Sequence, residues 1–173
     1  MTHHLHPVFS NVSARATSDV LTENLRPLHE EVDLNDIINA LLQQYGLKEK
    51  SAILRLDKLV VVKGKKDQFT FLFGELLHAI FNHPPFNSKL FLFIQCAEEI
   101  LEEDILDLRS KTQGRYVICF HTNINTDENW RAIHKSNLEE CCRIVHENGG
   151  SLSQYNITNT GCLFSLTLPG KIQ

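Results

Sequence analysis

Three segments of this chain carry apolar residues at three- and four-residue spacing, and each does so on a single stripe. DQFTFLFGELLHAIFNH (67–83) places Phe69, Leu72, Phe73, Leu76, Leu77, Ile80 and Phe81 on one wide helical face. VDLNDIINALLQQY (32–45) does the same with Leu34, Ile37, Ile38, Leu41 and Leu42, with Asp33 or Asn35 set as its cap and Gly46 at its end. SNLEECCRIVHEN (136–148) is the third, closed by Gly149-Gly150. A helix with one apolar stripe buries one side only, so all three need a common surface on that side and water on the other.

The intervening segments supply that surface. SAILRLD (51–57) and KLVVVKG (58–64) read as two strands joined by a tight polar turn. KLFLFIQCAEE (89–99) and GRYVICFHT (114–122) are the next two, and SLSQYNIT (151–158) with GCLFSLTLP (161–169) forms a terminal hairpin around Asn159, Thr160 and Gly161. The order αββαββαββ predicts an α+β fold: a two-layer sandwich of one mixed sheet with its helices on one face. The expected core joins Ile37, Leu41, Leu72, Leu76, Ile80, Leu138, Ile144 and Val145 of the helices to Ile53, Val61, Phe93, Ile118, Phe164 and Leu166 of the strands. Helices are expected near 33–47, 66–83 and 136–148. HPPFNS (83–88) is a breaker, EEILEEDILDLRSKTQG (98–114) a charged loop or short helix, and NINTDENWRAIHK (123–135) an irregular polar segment.

Residues 1–31, polar and interrupted by Pro7 and Pro27, read as a flexible or helical lead-in, and 32–173 as one domain. With 17 Lys and Arg against 21 Asp and Glu, the net charge of −4 points away from nucleic acid and anionic membranes. No stretch has the length and apolarity of a membrane span or a signal peptide, so no membrane insertion is expected. The five cysteines include no CxxC pair, which suits a reducing cytoplasm, and adjacent Cys141 and Cys142 read as packing residues of a helix. His3, His4 and His6 lack Cys or carboxylate partners and read as part of a mobile tail, so no metal is expected.

The run from Val32 to Pro169, about four fifths of the chain, resembles the ATP-binding domain of sensor histidine kinases, the Bergerat fold of the GHKL superfamily that gyrase shares. VDLNDIINALLQQY resembles its opening helix and 67–83 its N box. NLEECCRIVHENGGSLSQYNITNTGCLFSLTLP resembles its last helix, Gly-Gly turn and final hairpin. The resemblance implies a nucleotide site whose positions fall on Glu75, Ala79, Asn82, His83, Thr122, Asn123, Asn125, Lys135, Asn137 and Cys162.

Several of those positions lack the residue type that the chemistry needs. Where the kinase pattern has a magnesium-binding Asn this chain has Ala79, and a methyl group offers no oxygen ligand. Glu75 stands where gyrase-like relatives keep a general base. Asn82 and His83 fill positions near the phosphates, where a helix end before Pro84-Pro85 also favours them as caps. The adenine-reading Asp-x-Gly-x-Gly is replaced by HTNIN, leaving Thr122 as the nearest stand-in. The glycines that wrap the phosphates fall on Lys135, Ser136, Asn137 and Leu138, and the Thr that supports the adenine-reading Asp is Cys162.

The expectation is a domain without ATP or magnesium and without catalytic residues, acting on another signalling protein or on a second copy of itself. The alternative is a histidine phosphotransferase or a divergent ATP-binding kinase of two-component signalling. His29 in RPLHEEVD has the composition of a phospho-acceptor box but not its order. Trp130, the single tryptophan, is expected either to tuck onto its own core or to offer a partner contact.

Overall fold

The computed structural model describes residues 30–45, 52–83, 85, 89–99, 114–157 and 160–171. Its elements run β1 (Glu30–Asp33), α1 (Leu34–Gln44), β2 (Ala52–Leu56), β3 (Val61–Gly64), α2 (Lys66–Phe81), β4 (Leu90–Glu99), β5 (Gly114–Thr122), α3 (Glu128–Glu147), β6 (Ser151–Ile157) and β7 (Gly161–Gly170). Five strands form one sheet in the order β2-β4-β5-β7-β6, and β1 pairs with β3 in a separate two-stranded sheet. The main sheet is mixed: β2 runs parallel to β4, and every other neighbouring pair is antiparallel.

Alternation along the strands decides which side of the sheet is covered. Tyr116, Ile118, Phe120 and Thr122 of β5 are buried, as are Cys162, Phe164, Leu166 and Leu168 of β7, whereas the residues between them are half-buried or exposed. The buried set meets the stripes of α1 (Ile37, Ile38, Leu41, Leu42), α2 (Phe69, Leu72, Phe73, Leu76, Leu77, Ile80) and α3 (Ile144, Val145) in one core. α2 lies between α1 and α3. The two-layer sandwich, with three helices on one face of a mixed sheet, is therefore the observed architecture.

Local chemistry fixes the helix ends. The Asp33 carboxylate caps α1 by accepting from the Asn35 backbone N–H at 2.8 Å. The Asn35 side chain reaches on to Leu59, accepting from its N–H at 2.7 Å and donating to its carbonyl at 2.9 Å, which ties α1 to the chain entering β3. At the end of α3, Gly149 takes φ 78°, a left-handed conformation that favours glycine, and the chain reverses into β6.

Four expectations need correction. β2 and β3 are not a hairpin but belong to different sheets, because four residues separate them and β2 adds in parallel to the edge of β4. Ile53 is 53% exposed and Phe93 is only half-buried, since odd-numbered residues of β2 and β4 face away from the helices. The first strand begins at Glu30, two residues before the expected boundary. The segment taken as irregular before residue 136 is helical from Glu128, because Asp127 supplies a cap that accepts from the Trp130 N–H at 2.8 Å. Gly46, the lead-in with its histidines, and most of the 98–114 excursion lie outside the described residues.

Candidate functional site

The C-terminal half of α2, the first turns of α3 and the inner face of β7 enclose one region between the N-box-like helix and the last helix. Trp130 fills it. Its side chain is 1% exposed, and its ring centroid lies 5.9 Å from Phe164, 4.9 Å from His134 and 6.0 Å from His83. The indole N–H donates to the Ala79 carbonyl at 3.2 Å. That carbonyl is among the last four of α2, which have no partner within the helix, so the indole satisfies an otherwise open acceptor. Trp130 is thus an internal packing residue, and the alternative of an exposed partner contact is corrected: its burial removes it from the surface.

The other positions sort by burial. Ala79 is buried with its methyl in the core. Thr122 is 4% exposed, and its hydroxyl makes no hydrogen bond to a described residue. Asn123, fully buried, is a backbone clamp: its carbonyl oxygen accepts from the Phe91 N–H and its amide donates to the Lys89 carbonyl, both at 2.9 Å. Cys162 is buried, and burial pushes its thiol up to about 11. Gly161 takes φ 145° beside it, and a side chain there would strike the Thr122 carbonyl oxygen at 1.9 Å. The ends of β5 and β7 are therefore pressed together where the resemblance places adenine recognition.

The remaining positions are polar and more open. Glu75 accepts from the Asn137 side-chain amide at 2.5 Å across the α2–α3 seam. Asn82 caps α2 and donates from its side chain to the His78 ring at 2.8 Å. Lys135 is exposed and lies 3.9 Å from Glu139, and Asn125 is exposed on the turn before α3. Three histidines line the same seam. His83 Nε2 stands 2.9 Å from His134 Nε2, and the His78 ring lies 6.3 Å from that of His134. Burial lowers the affinity of His83 and His134 for a proton, with neighbouring histidines adding to the effect.

His78 and His134 were not among the expected site residues. His134 falls in the segment that its polarity marked as irregular, so no helical period pointed it at α2. His78 sits three residues after Glu75, a spacing that puts both on one side of the helix and was the available signal.

No protein-family model matches the chain, and no curated protein matches it by sequence. Solved structures do match. The mycobacterial sensor histidine kinase MprB aligns over 84% of this chain and 99% of its own, at 15% identity and a TM-score of 0.56. The catalytic domain of histidine kinase ThkA aligns over 82% and 95%, at 15% identity and 0.57. The fold is that of histidine kinase catalytic domains. The ATP-binding domain of PrrB from Mycobacterium tuberculosis agrees, over 83% and 98% of the two chains at 15% identity and 0.55. Identity at this level carries the histidine-kinase-like architecture and no residue's role. Among the described residues no helix is long and apolar enough to cross a membrane.

Proposed function

We propose that this histidine-kinase-like domain is a non-catalytic module of a two-component signalling system, working in the cytoplasm through its surfaces rather than through ATP. The observation that carries the reading is Trp130. Its buried indole, bonded to the Ala79 carbonyl and packed on Phe164, fills the space beside the positions that the resemblance assigns to a nucleotide, which supports the reading. The residue types at the site support the same reading. Ala79 offers no oxygen to magnesium, and Asn123 spends its amide on the backbone of β4 instead of on a base. The side chains of Lys135 and Asn137 stand where backbone N–H groups would have to wrap phosphate. The module's partner is another signalling protein or a second copy of the chain.

The test is a thermal-shift series with ATP, ADP and magnesium, backed by calorimetry. A ligand at a hundred times its dissociation constant adds about 2.7 kcal/mol, so binding is easily seen. No shift is expected. Micromolar affinity for Mg·ATP would overturn the reading and favour a divergent kinase or phosphotransferase. Ala79→Asn alone is expected to leave the result unchanged, since one regained ligand sits under Trp130 and restores neither base recognition nor phosphate wrapping.

A further inference from the structure

The main sheet ends in β2 on one side and β6 on the other, and the two edges differ in composition. β2 carries Arg55 among its five residues, whereas β6 spans seven, SLSQYNI, with no charge and no proline. An edge strand turns every second backbone N–H and C=O outward, and such edges are ordinarily guarded by a charged side chain, a proline or a covering element. Among the described residues no strand pairs with the outer side of β6. A groove lies beside that edge, because α3 runs back along β6. The Asn156 side-chain amide donates to the Thr126 carbonyl at 3.4 Å just before α3 begins, and the Gly150 N–H donates to the Val145 carbonyl at 2.9 Å just after it ends. The groove, of about 470 Å³, is floored by Leu138 and Cys142 of α3 and bounded by Gln154 of β6, with Arg131, Lys135 and Glu139 along its helical rim. Glu139 balances Lys135 at 3.9 Å, whereas the Arg131 guanidinium has no carboxylate partner among the described residues. The rim therefore holds one unmatched positive charge in a chain that is acidic overall.

We propose that β6 and this groove form a docking site for an extended segment of a partner protein, which adds antiparallel to β6 and carries an acidic residue two positions before an apolar one. The inference rests on the reading that the module works through its surfaces, and it names the surface. An antiparallel segment runs from the Ile157 end of β6 to the Ser151 end, and so from the start of α3 toward its end. Residues two apart on it face the same side. The first meets Arg131, where a carboxylate forms a charge-assisted, bidentate pair with the guanidinium. The second lies over Leu138 and Cys142, where an apolar side chain leaves water. The residues between them fall on the opposite face beside Tyr155 and Ile157, 55% and 45% exposed, against which β-branched or aromatic side chains pair well. β6 itself has no acidic residue to offer Arg131, so a second copy pairing through the same edge would leave that charge unmatched. Backbone pairing thus admits any extended segment, and the rim charge selects among them.

The test uses the full chain and a short fluorescein-labelled peptide of threonine and valine with Asp-Thr-Leu at its centre. Saturable fluorescence polarisation is expected, with NMR amide shifts confined to β6 and the groove-facing turns of α3. Replacing the peptide's Asp by Lys, or Arg131→Glu in the protein, should weaken binding about tenfold or more, the loss of one charge-assisted bidentate contact. N-methylation of alternate peptide residues should abolish binding in the frame whose N–H groups face β6 and spare it in the other. Cys142→Arg, at an exposed position, should obstruct the groove and weaken binding, with circular dichroism confirming that it and Arg131→Glu are folded. Ile133→Ala, exposed on α3 outside the groove lining, should leave the affinity unchanged. No binding, equal affinity for the Asp and Lys peptides, or insensitivity to methylation in both frames would overturn the proposal. Sedimentation showing a dimer that the peptide does not displace would overturn it in favour of a second copy on this edge. The Mg·ATP titration bears on the non-catalytic reading alone: ATP binding with the peptide isotherm intact would fail that reading and keep this site.

Discussion

Removing the Trp130 side chain is the perturbation with the largest expected effect on the molecule. A tryptophan buries roughly 150–250 Å², which at about 25 cal/mol per Å² is worth about 4–6 kcal/mol. Truncations of buried Trp or Phe to Ala cost about 3–5 kcal/mol when the surroundings relax only partly. Relaxation is restricted here, because the ring is held between α2, α3 and Phe164, and the Ala79 carbonyl would lose its donor. Trp130→Ala is therefore expected to lose about 4 kcal/mol, a third or more of the stability of an ordinary domain. That corresponds to a fall in Tm of roughly 8–16 °C at this size. Urea unfolding followed by far-UV circular dichroism is the assay, since the variant has no tryptophan to report. Trp130→Phe keeps one aromatic ring but loses the N–H donor and part of the buried indole, so an intermediate loss of about 2–3 kcal/mol is expected. A loss below about 1 kcal/mol in Trp130→Ala, at an unchanged denaturant slope, would refute the internal role assigned to the ring.

Gly161→Ala should prevent folding or destabilise it severely, because the added carbon meets the Thr122 carbonyl oxygen at 1.9 Å in a backbone conformation of φ 145°; soluble yield and melting temperature check it. Thiol labelling should follow burial: Cys142, exposed, reacts first, whereas Cys141, pushed up to about 12, and Cys162, pushed up to about 11, react only on unfolding. The Glu31 carboxyl, held below its ordinary value of 4.5 by the bonded Lys171 ammonium, should titrate in the native protein at a lower pH than in Lys171→Met, as NMR would show. Its folded value lies below the unfolded one, so the pair's small contribution to stability is present above pH 4.5 and fades as the pH falls through the folded value.

The layer architecture was legible because single apolar stripes leave few ways to bury three helices. Leu72, Leu76 and Ile80 could point only at a sheet, and Ile118, Phe164 and Leu166 alternate as a half-covered sheet requires. Pairing was less legible. Val61 and Val62 are as β-branched as any residues of the main sheet, yet β3 joins β1 instead, and nothing local to KLVVVKG distinguishes the two outcomes. The N-terminal extension of α3 escaped notice because its first turns expose Arg131, Ala132, Ile133 and Lys135, so only Trp130 and His134 carry the inward period. The site positions could be located from spacing, but their present uses could not. That Asn123 clamps a neighbouring strand, or that His83 meets His134, depends on a crossing of elements far apart in sequence.

The small sheet has a mechanical consequence. Val61 exchanges both backbone hydrogen bonds with Lys171, at 2.8 and 2.9 Å, while β1 lies along the other side of β3 and Lys171 reaches Glu31 at 2.7 Å. Residues 30 and 171 are consequently moored to the same four-residue strand. Anything tethered upstream and anything tethered downstream leaves the domain from one patch, and tension between two such tethers is resisted by the bonds of β3 before it reaches the helical layer. Because residue 30 pairs at the Gly64 end and residue 171 at the Val61 end, opposed pulling would load the bonds of this clasp together along the strand axis and deliver the load next to the Asn35–Leu59 bonds that anchor α1. The clasp thus makes α1, not the Trp130 enclosure, the first helix to feel a pull on the chain's flanks.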